Sequence, residues 1–164
     1  MPTIAGPRPG KAARVARVPG APPKAPRRKA YVRDLMTENV VTFSPKDNLA
    51  DLADRMADEH IRHAPIVDRE GELVGLVTER DLARFALFDS PDAPLSVERE
   101  VLGGRRVREI MGTEVDTLEP DASLREAAEL LLENKVGCIP IVEGRRVVGI
   151  LTEADFVRRF LETE

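Results

Sequence analysis

Val32-Arg-Asp-Leu-Met36 opens a pattern that comes round again as Val107-Arg-Glu-Ile-Met111. The register persists through Val40 and Val115, Thr42 and Thr117, Pro45 and Pro120, Leu49 and Leu124, and Ala53 and Ala128. Pro65-Ile66-Val67 likewise matches Pro140-Ile141-Val142. After the loss of one residue in a turn, Gly75-Leu-Val-Thr78-Glu-Arg-Asp81 matches Gly149-Ile-Leu-Thr152-Glu-Ala-Asp155. Chance similarity does not keep turn residues in step over such a length, so the chain carries a tandem duplication. One repeat occupies 31–88 and the other 107–164, and Pro91, Pro94 and Gly103-Gly104 interrupt the 89–106 linker between them.

Each repeat reads in the same way. An extended piece at 40–43 precedes Pro45, and residues 48–60 show helical spacing at Leu49, Leu52, Ala53 and Met56. Asn48 with Asp51, and Ser123 with Glu126, stand as N-cap and third helical residue. Two brief apolar strands follow at 64–67 and 73–77, parted by the turn Asp68-Arg-Glu-Gly71 or, in the second repeat, Glu143-Gly144-Arg145. A second helix starts at Thr78 or Thr152 and runs through Leu82 and Phe85, or Phe156 and Phe160. The expected fold is therefore α+β, strand-helix-strand-strand-helix twice over. One such unit is small for a stable domain, so the two should share a core.

Composition sets outer limits. The chain has 164 residues, 42% hydrophobic and 33% charged, enough for an ordinary core without metal or disulfides. Cys138 is the single cysteine, which excludes an internal disulfide and any Cys-based zinc site. No apolar run approaches the roughly 20 residues that cross a bilayer, and the N-terminus lacks an apolar signal core. A cytoplasmic protein with no membrane partner is the expectation. The net charge of −4 hides a strong asymmetry: residues 1–30 hold eight Lys or Arg and no acid, and the rest hold 17 bases against 29 acids. Seven of the 13 prolines also fall in 1–30, so a disordered basic arm is expected there. Such an arm either contacts a polyanion or an acidic face, or is a solvated tail. Nucleic acid is the less favoured partner, because the body is acidic and the arm has no aromatic residue to stack on bases.

The order Met-Thr, then a Pro-led helix, then His63-Ala-Pro-Ile-Val67, then Gly75-Leu-Val-Thr-Glu-Arg-Asp81 resembles a cystathionine β-synthase (CBS) domain. Two in tandem resemble a Bateman module, covering the whole chain except the arm. The resemblance implies a pseudo-twofold axis between the repeats, a homodimer of modules, and two clefts that take adenosine-containing ligands. In the family the Thr and Asp of the Thr-x-x-Asp motif touch phosphate or ribose, roles that fall on Thr78, Asp81, Thr152 and Asp155. The adenine end falls on Thr37, Val40, Ile61, Arg62 and His63 in one repeat and on Thr113, Val115, Val136, Gly137 and Cys138 in the other, with Leu76 and Ile150 beside them. Each cleft would join this segment of one repeat to the Thr-x-x-Asp of the other.

The residues also bear a plainer reading. Thr78-x-x-Asp81 and Thr152-x-x-Asp155 fit a capping box, a complete role without any ligand. A helix N-terminus nonetheless suits phosphate, and a carboxylate can accept two hydrogen bonds from a ribose diol. Gly75 and Gly149 would permit close approach of the backbone. Ile61 and Val136 suit strand-edge packing. Arg62 and His63 could meet phosphate, whereas Gly137 and Cys138 could not, and the cationic Arg80 is matched in the other repeat by the neutral Ala154, so the clefts should differ. Cys138 reads as a small buried hydrophobe.

Neither a nucleophile elbow, a Gly-rich loop with lysine nor a metal-ligand cluster is present in the sequence, so no catalytic residue and no metal is expected. The expectation is a stand-alone regulatory module that binds AMP, ADP, ATP, S-adenosylmethionine or a similar effector and changes shape or assembly. It would carry no bound cofactor and would pass its output to another chain or through the arm. A ligand-independent dimeric adaptor working through the basic arm is the alternative.

Overall fold

The computed structural model describes residues 30–89 and 100–163. The basic arm expected over 1–30 lies outside the described residues except for Ala30, and so does 90–99 of the linker. In chain order the main elements are α1 (Leu49–Asp58), β1 (His63–Val67), β2 (Leu73–Thr78), α2 (Glu79–Asp89), α3 (Leu124–Asn134), β3 (Cys138–Glu143), β4 (Arg146–Thr152) and α4 (Glu153–Glu162).

The caps set the helix starts. Asn48 Oδ1 accepts from the N–H of Ala50 at 2.9 Å and of Asp51 at 3.4 Å, and Ser123 Oγ accepts from Glu126 N–H at 3.1 Å. β1 and β2 form one antiparallel hairpin and β3 and β4 the other. Their turns bend at Gly71 (φ 81°) and Gly144 (φ 64°), a backbone region that glycine enters without strain. Of the leading strand expected at 40–43, only Phe43 pairs, in a single parallel bridge to Ile66 that Leu118 and Ile141 repeat. The reason lies upstream. Thr37 is held by two backbone bonds to Ile150 of the other repeat, so the chain crosses between repeats just where a longer ladder would form.

That crossing is reciprocal. Val32 N–H donates to the Ala122 carbonyl at 2.9 Å and Arg33 N–H to Pro120 at 3.0 Å. In return, Val107 N–H donates to Asp47 at 3.0 Å and Arg108 N–H to Pro45 at 2.9 Å. The repeats share their interior by exchanging leading segments. Val107 and Leu102 complete a cluster built on Leu49, Leu52, Met56, Ile66 and Val77. Val32 completes its counterpart around Ala127, Leu131, Ile139, Ile141 and Leu151. Both valines are fully buried, the favourable burial that holds each leading segment in place.

The exchange also accounts for the close approach expected at Gly75 and Gly149. A Cβ on Gly75 would stand 2.8 Å from Met111 Sδ and 3.0 Å from the Gly112 carbonyl. One on Gly149 would stand 2.5 Å from Met36 Sδ and 3.3 Å from the Thr37 carbonyl. These glycines admit the partner repeat's methionine and backbone.

Candidate functional site

The loops and helix starts that the exchange draws together enclose an open cleft of about 900 Å³ between the repeats. The first repeat contributes Thr37, Val40, Ile61, Arg62, His63 and Thr78, and the second contributes Val136, Gly137, Ile150, Thr152 and Asp155. Apolar edges from one repeat thus face a Thr-x-x-Asp from the other across a single space.

Both Thr-x-x-Asp motifs are closed capping boxes. Asp81 Oδ2 accepts from the N–H and the hydroxyl of Thr78, each at 2.8 Å, and Thr78 Oγ1 accepts from Asp81 N–H at 3.1 Å. Asp155 Oδ2 accepts from the N–H of Thr152 at 2.7 Å and from its hydroxyl at 2.9 Å. Each threonine hydroxyl proton is therefore committed to its own aspartate. What each aspartate can still offer a ligand is Oδ1. Asp81 Oδ1 meets no donor among the described residues, whereas Asp155 Oδ1 accepts from Arg158 Nη1 at 3.1 Å. Asp155 is also the more enclosed of the two, 6% exposed.

His63 sits where the repeats meet. A Cβ on Gly137 would come within 2.8 Å of its Nε2, so the imidazole fills the space that the missing side chain leaves. This gives a packing reason for Arg62-His63 facing Gly137-Cys138. Burial, with a smaller contribution from the Arg62 guanidinium, holds the His63 imidazole below its ordinary pKa of 6.5, against the pull of Glu153, Glu79 and Asp81. His60 and Lys135 occupy equivalent places after α1 and α3, both with left-handed backbone (φ 54° and 53°), and both line the cleft. Arg62, Arg80, Lys135 and Arg158 supply cations to the cleft, and Glu79 and Glu153 stand among them.

Five expected residues lie outside this cleft. Asp81 is set back into its capping box, and Leu76 is occupied by a two-way backbone bridge to Gly112. That bridge repeats the one between Thr37 and Ile150, so the structural counterpart of Thr37 is Gly112, one residue before Thr113. Thr113 and Val115 line a separate pocket of about 180 Å³ with Leu73, Val74 and Gly75. Cys138 is 4% exposed at the start of β3, and burial pushes its thiol up to about 12, consistent with a packed hydrophobe and not with a ligand contact. Sequence reading missed Lys135 and Arg158. A residue directly after a helix and an arginine three residues beyond Asp155 were the signals available.

The CBS domain family matches residues 32–87 and 107–162, and the chain belongs to that family. Among proteins of known sequence, YhcV of Bacillus subtilis is 29% identical over 133 residues, covering 81% of this chain and 87% of its own. MJ1404 of Methanocaldococcus jannaschii is 32% identical over 132 residues, covering 77% of this chain, but the match spans only 31% of that protein. For MJ1225 of the same organism the share is 41%, so the chain corresponds to less than half of these longer relatives. Among solved structures, AcuB from Vibrio cholerae superposes with a TM-score of 0.70 at 32% identity, over 82% of this chain and 93% of its own. The CBS domain pair of MJ0100, in complex with 5′-methylthioadenosine and S-adenosyl-L-methionine, gives 0.70 at 26% identity, over 84% and 100%. CBSX2 in complex with AMP gives 0.68 at 25% identity, over 82% and 98%.

Proposed function

We propose that this CBS pair is a regulatory module that binds an adenine nucleotide or another adenosyl ligand and transmits occupancy through a change of shape or assembly. The observation that carries the proposal is the cleft itself, where Asp155 and Thr152 of one repeat face Thr37, Val40 and Ile61 of the other. Apolar edges suit a purine, a carboxylate suits a ribose diol, and the cations Arg62, Arg80 and Lys135 suit phosphate. Adenosyl ligands in the complexes of MJ0100 and CBSX2 support the same class. Thr78 and Asp81 have the matching chemistry for a second, less enclosed position. Pocket 180 Å³ in size beside Thr113 and Val115 is too small for a nucleoside but could admit part of one.

The module is proposed to act without catalysis of its own, as a cytoplasmic homodimer that hands its output to another chain or domain. Leu87 on α2 and Val157, Phe160 and Leu161 on α4 are each more than 60% exposed, and Leu87 and Leu161 are equivalent positions of the two repeats. A second copy packing on these exposed apolar side chains would form an isologous dimer. A thermal-shift and calorimetry series with AMP, ADP, ATP, S-adenosylmethionine and 5′-methylthioadenosine tests the ligand class, since only a ligand that binds the folded state raises its melting temperature. Sedimentation of the unmutated chain and of Phe160→Asp tests the dimer: a shift to monomer supports that face, and an unchanged dimer rejects it.

A further inference from the structure

Arg158 lies three residues beyond Asp155 on α4, and its Nη1 donates to Asp155 Oδ1 at 3.1 Å. Both residues line the cleft. The arginine side chain is 66% exposed and the aspartate side chain 8%. Since Oδ2 is already committed to Thr152, the one carboxylate edge that a ribose diol could use is covered by a guanidinium that stands mostly in open space. The first repeat lacks this device. Its equivalent arginine, Arg84, does not line the cleft, and among the described residues no donor reaches Asp81 Oδ1.

We infer that Arg158 is a charge-selective gate, displaced from Asp155 when a ribose binds and turned toward the ligand's phosphate when it has one. The inference rests on the adenosyl-ligand reading above. An ion pair with one well-exposed member is weak, so a diol can displace the guanidinium at small cost. A phosphate then regains more than was lost, because guanidinium and phosphate form charge-assisted and often bidentate bonds. An uncharged adenosyl ligand offers no such return. Arg158 should therefore act against adenosine and in favour of AMP at the same position. Its effect on the two ligands has opposite sign, which a purely structural role does not produce.

The test is calorimetry of the full chain with AMP and with adenosine, before and after Arg158→Ala. The expected result is a loss of about tenfold or more for AMP and a gain of about two- to fivefold for adenosine, with the melting temperature little changed. Arg84→Ala and Arg159→Ala, which remove the same charge from elsewhere on α2 and α4, should leave the AMP-to-adenosine ratio as it was. A shift of both ligands in the same direction, or a ratio indifferent to Arg158, overturns the gate while leaving the ligand class intact. Failure of the unmutated chain to bind either ligand overturns the gate, and failure of S-adenosylmethionine and 5′-methylthioadenosine as well overturns the ligand class with it.

Discussion

Asp81 and Asp155 each hold a helix start, and any ligand role must leave that task in place. Removing either carboxylate should cost about 1 kcal/mol of stability through the lost cap. For Asp155→Ala the larger loss should be in affinity, roughly 1.5–3 kcal/mol for a charged hydrogen bond to the diol, with a smaller loss for Asp81→Ala, which stands back from the cleft. Calorimetry beside a denaturant melt separates the two, and affinity unchanged in both variants would leave capping as their sole function. His63 yields a pH prediction. Its folded-state pKa is depressed, chiefly by burial, so the fold favours the neutral ring. That stabilisation is complete above the ordinary value of 6.5 and is lost as pH falls from there through the folded-state pKa. Melting curves between pH 7.5 and 5 should show stability falling on the acid side, and His63→Gln should flatten that part of the profile. The cap roles of Asn48, Ser123, Thr78 and Thr152 were legible in the sequence, because a cap is a local matter of spacing. Neither Arg158 over Asp155 nor His63 over Gly137 was, because each depends on where a side chain turns after the chain has folded.

At the scale of elements, the two hairpins and four helices follow from periodicity and turn residues, and their positions match the expected ones closely. The leading strand did not follow, since its pairing is limited by the crossing of Thr37 to Ile150, which local pattern cannot show. The close approach that Gly75 in β2 and Gly149 in β4 permit is made by the other repeat's methionine and backbone. Gly75→Ala should thus destabilise the fold by about 1–3 kcal/mol, as overpacking against backbone does, measured by chemical denaturation. A loss of ligand affinity with stability intact would contradict this placing. The left-handed position after α3 offers the reverse test. Lys135→Gly relieves a backbone region that costs a non-glycine residue about 1 kcal/mol, so it should stabilise or leave unchanged the fold while weakening phosphate-bearing ligands. A clear destabilisation would show that the lysine side chain contributes packing that the cap does not explain.

At the scale of the molecule, the duplication was legible at once, but the exchange of leading segments was not, because repeat matching reveals likeness and not which copy packs on which. The exchange makes the repeats interdependent. A fragment of 31–88 lacks Val107, Ile110 and Met111, and a fragment of 107–164 lacks Val32, Leu35 and Met36, all of them packed into the opposite cluster. Circular dichroism should find each fragment unfolded or weakly structured alone and folded when the two are mixed; cooperative unfolding of a lone fragment would contradict the shared interior. Residues of both repeats line the cleft, so a ligand held there would touch both. The central claim is that an adenosyl ligand binds there. Its most direct test is isothermal calorimetry of the full chain with AMP, repeated on Asp155→Ala with the fold verified by its melt. Saturable binding that the substitution weakens by about tenfold or more is the result expected for a ribose held by this carboxylate. No heat of binding from AMP, S-adenosylmethionine or 5′-methylthioadenosine at millimolar concentration, or binding indifferent to Asp155, would contradict it.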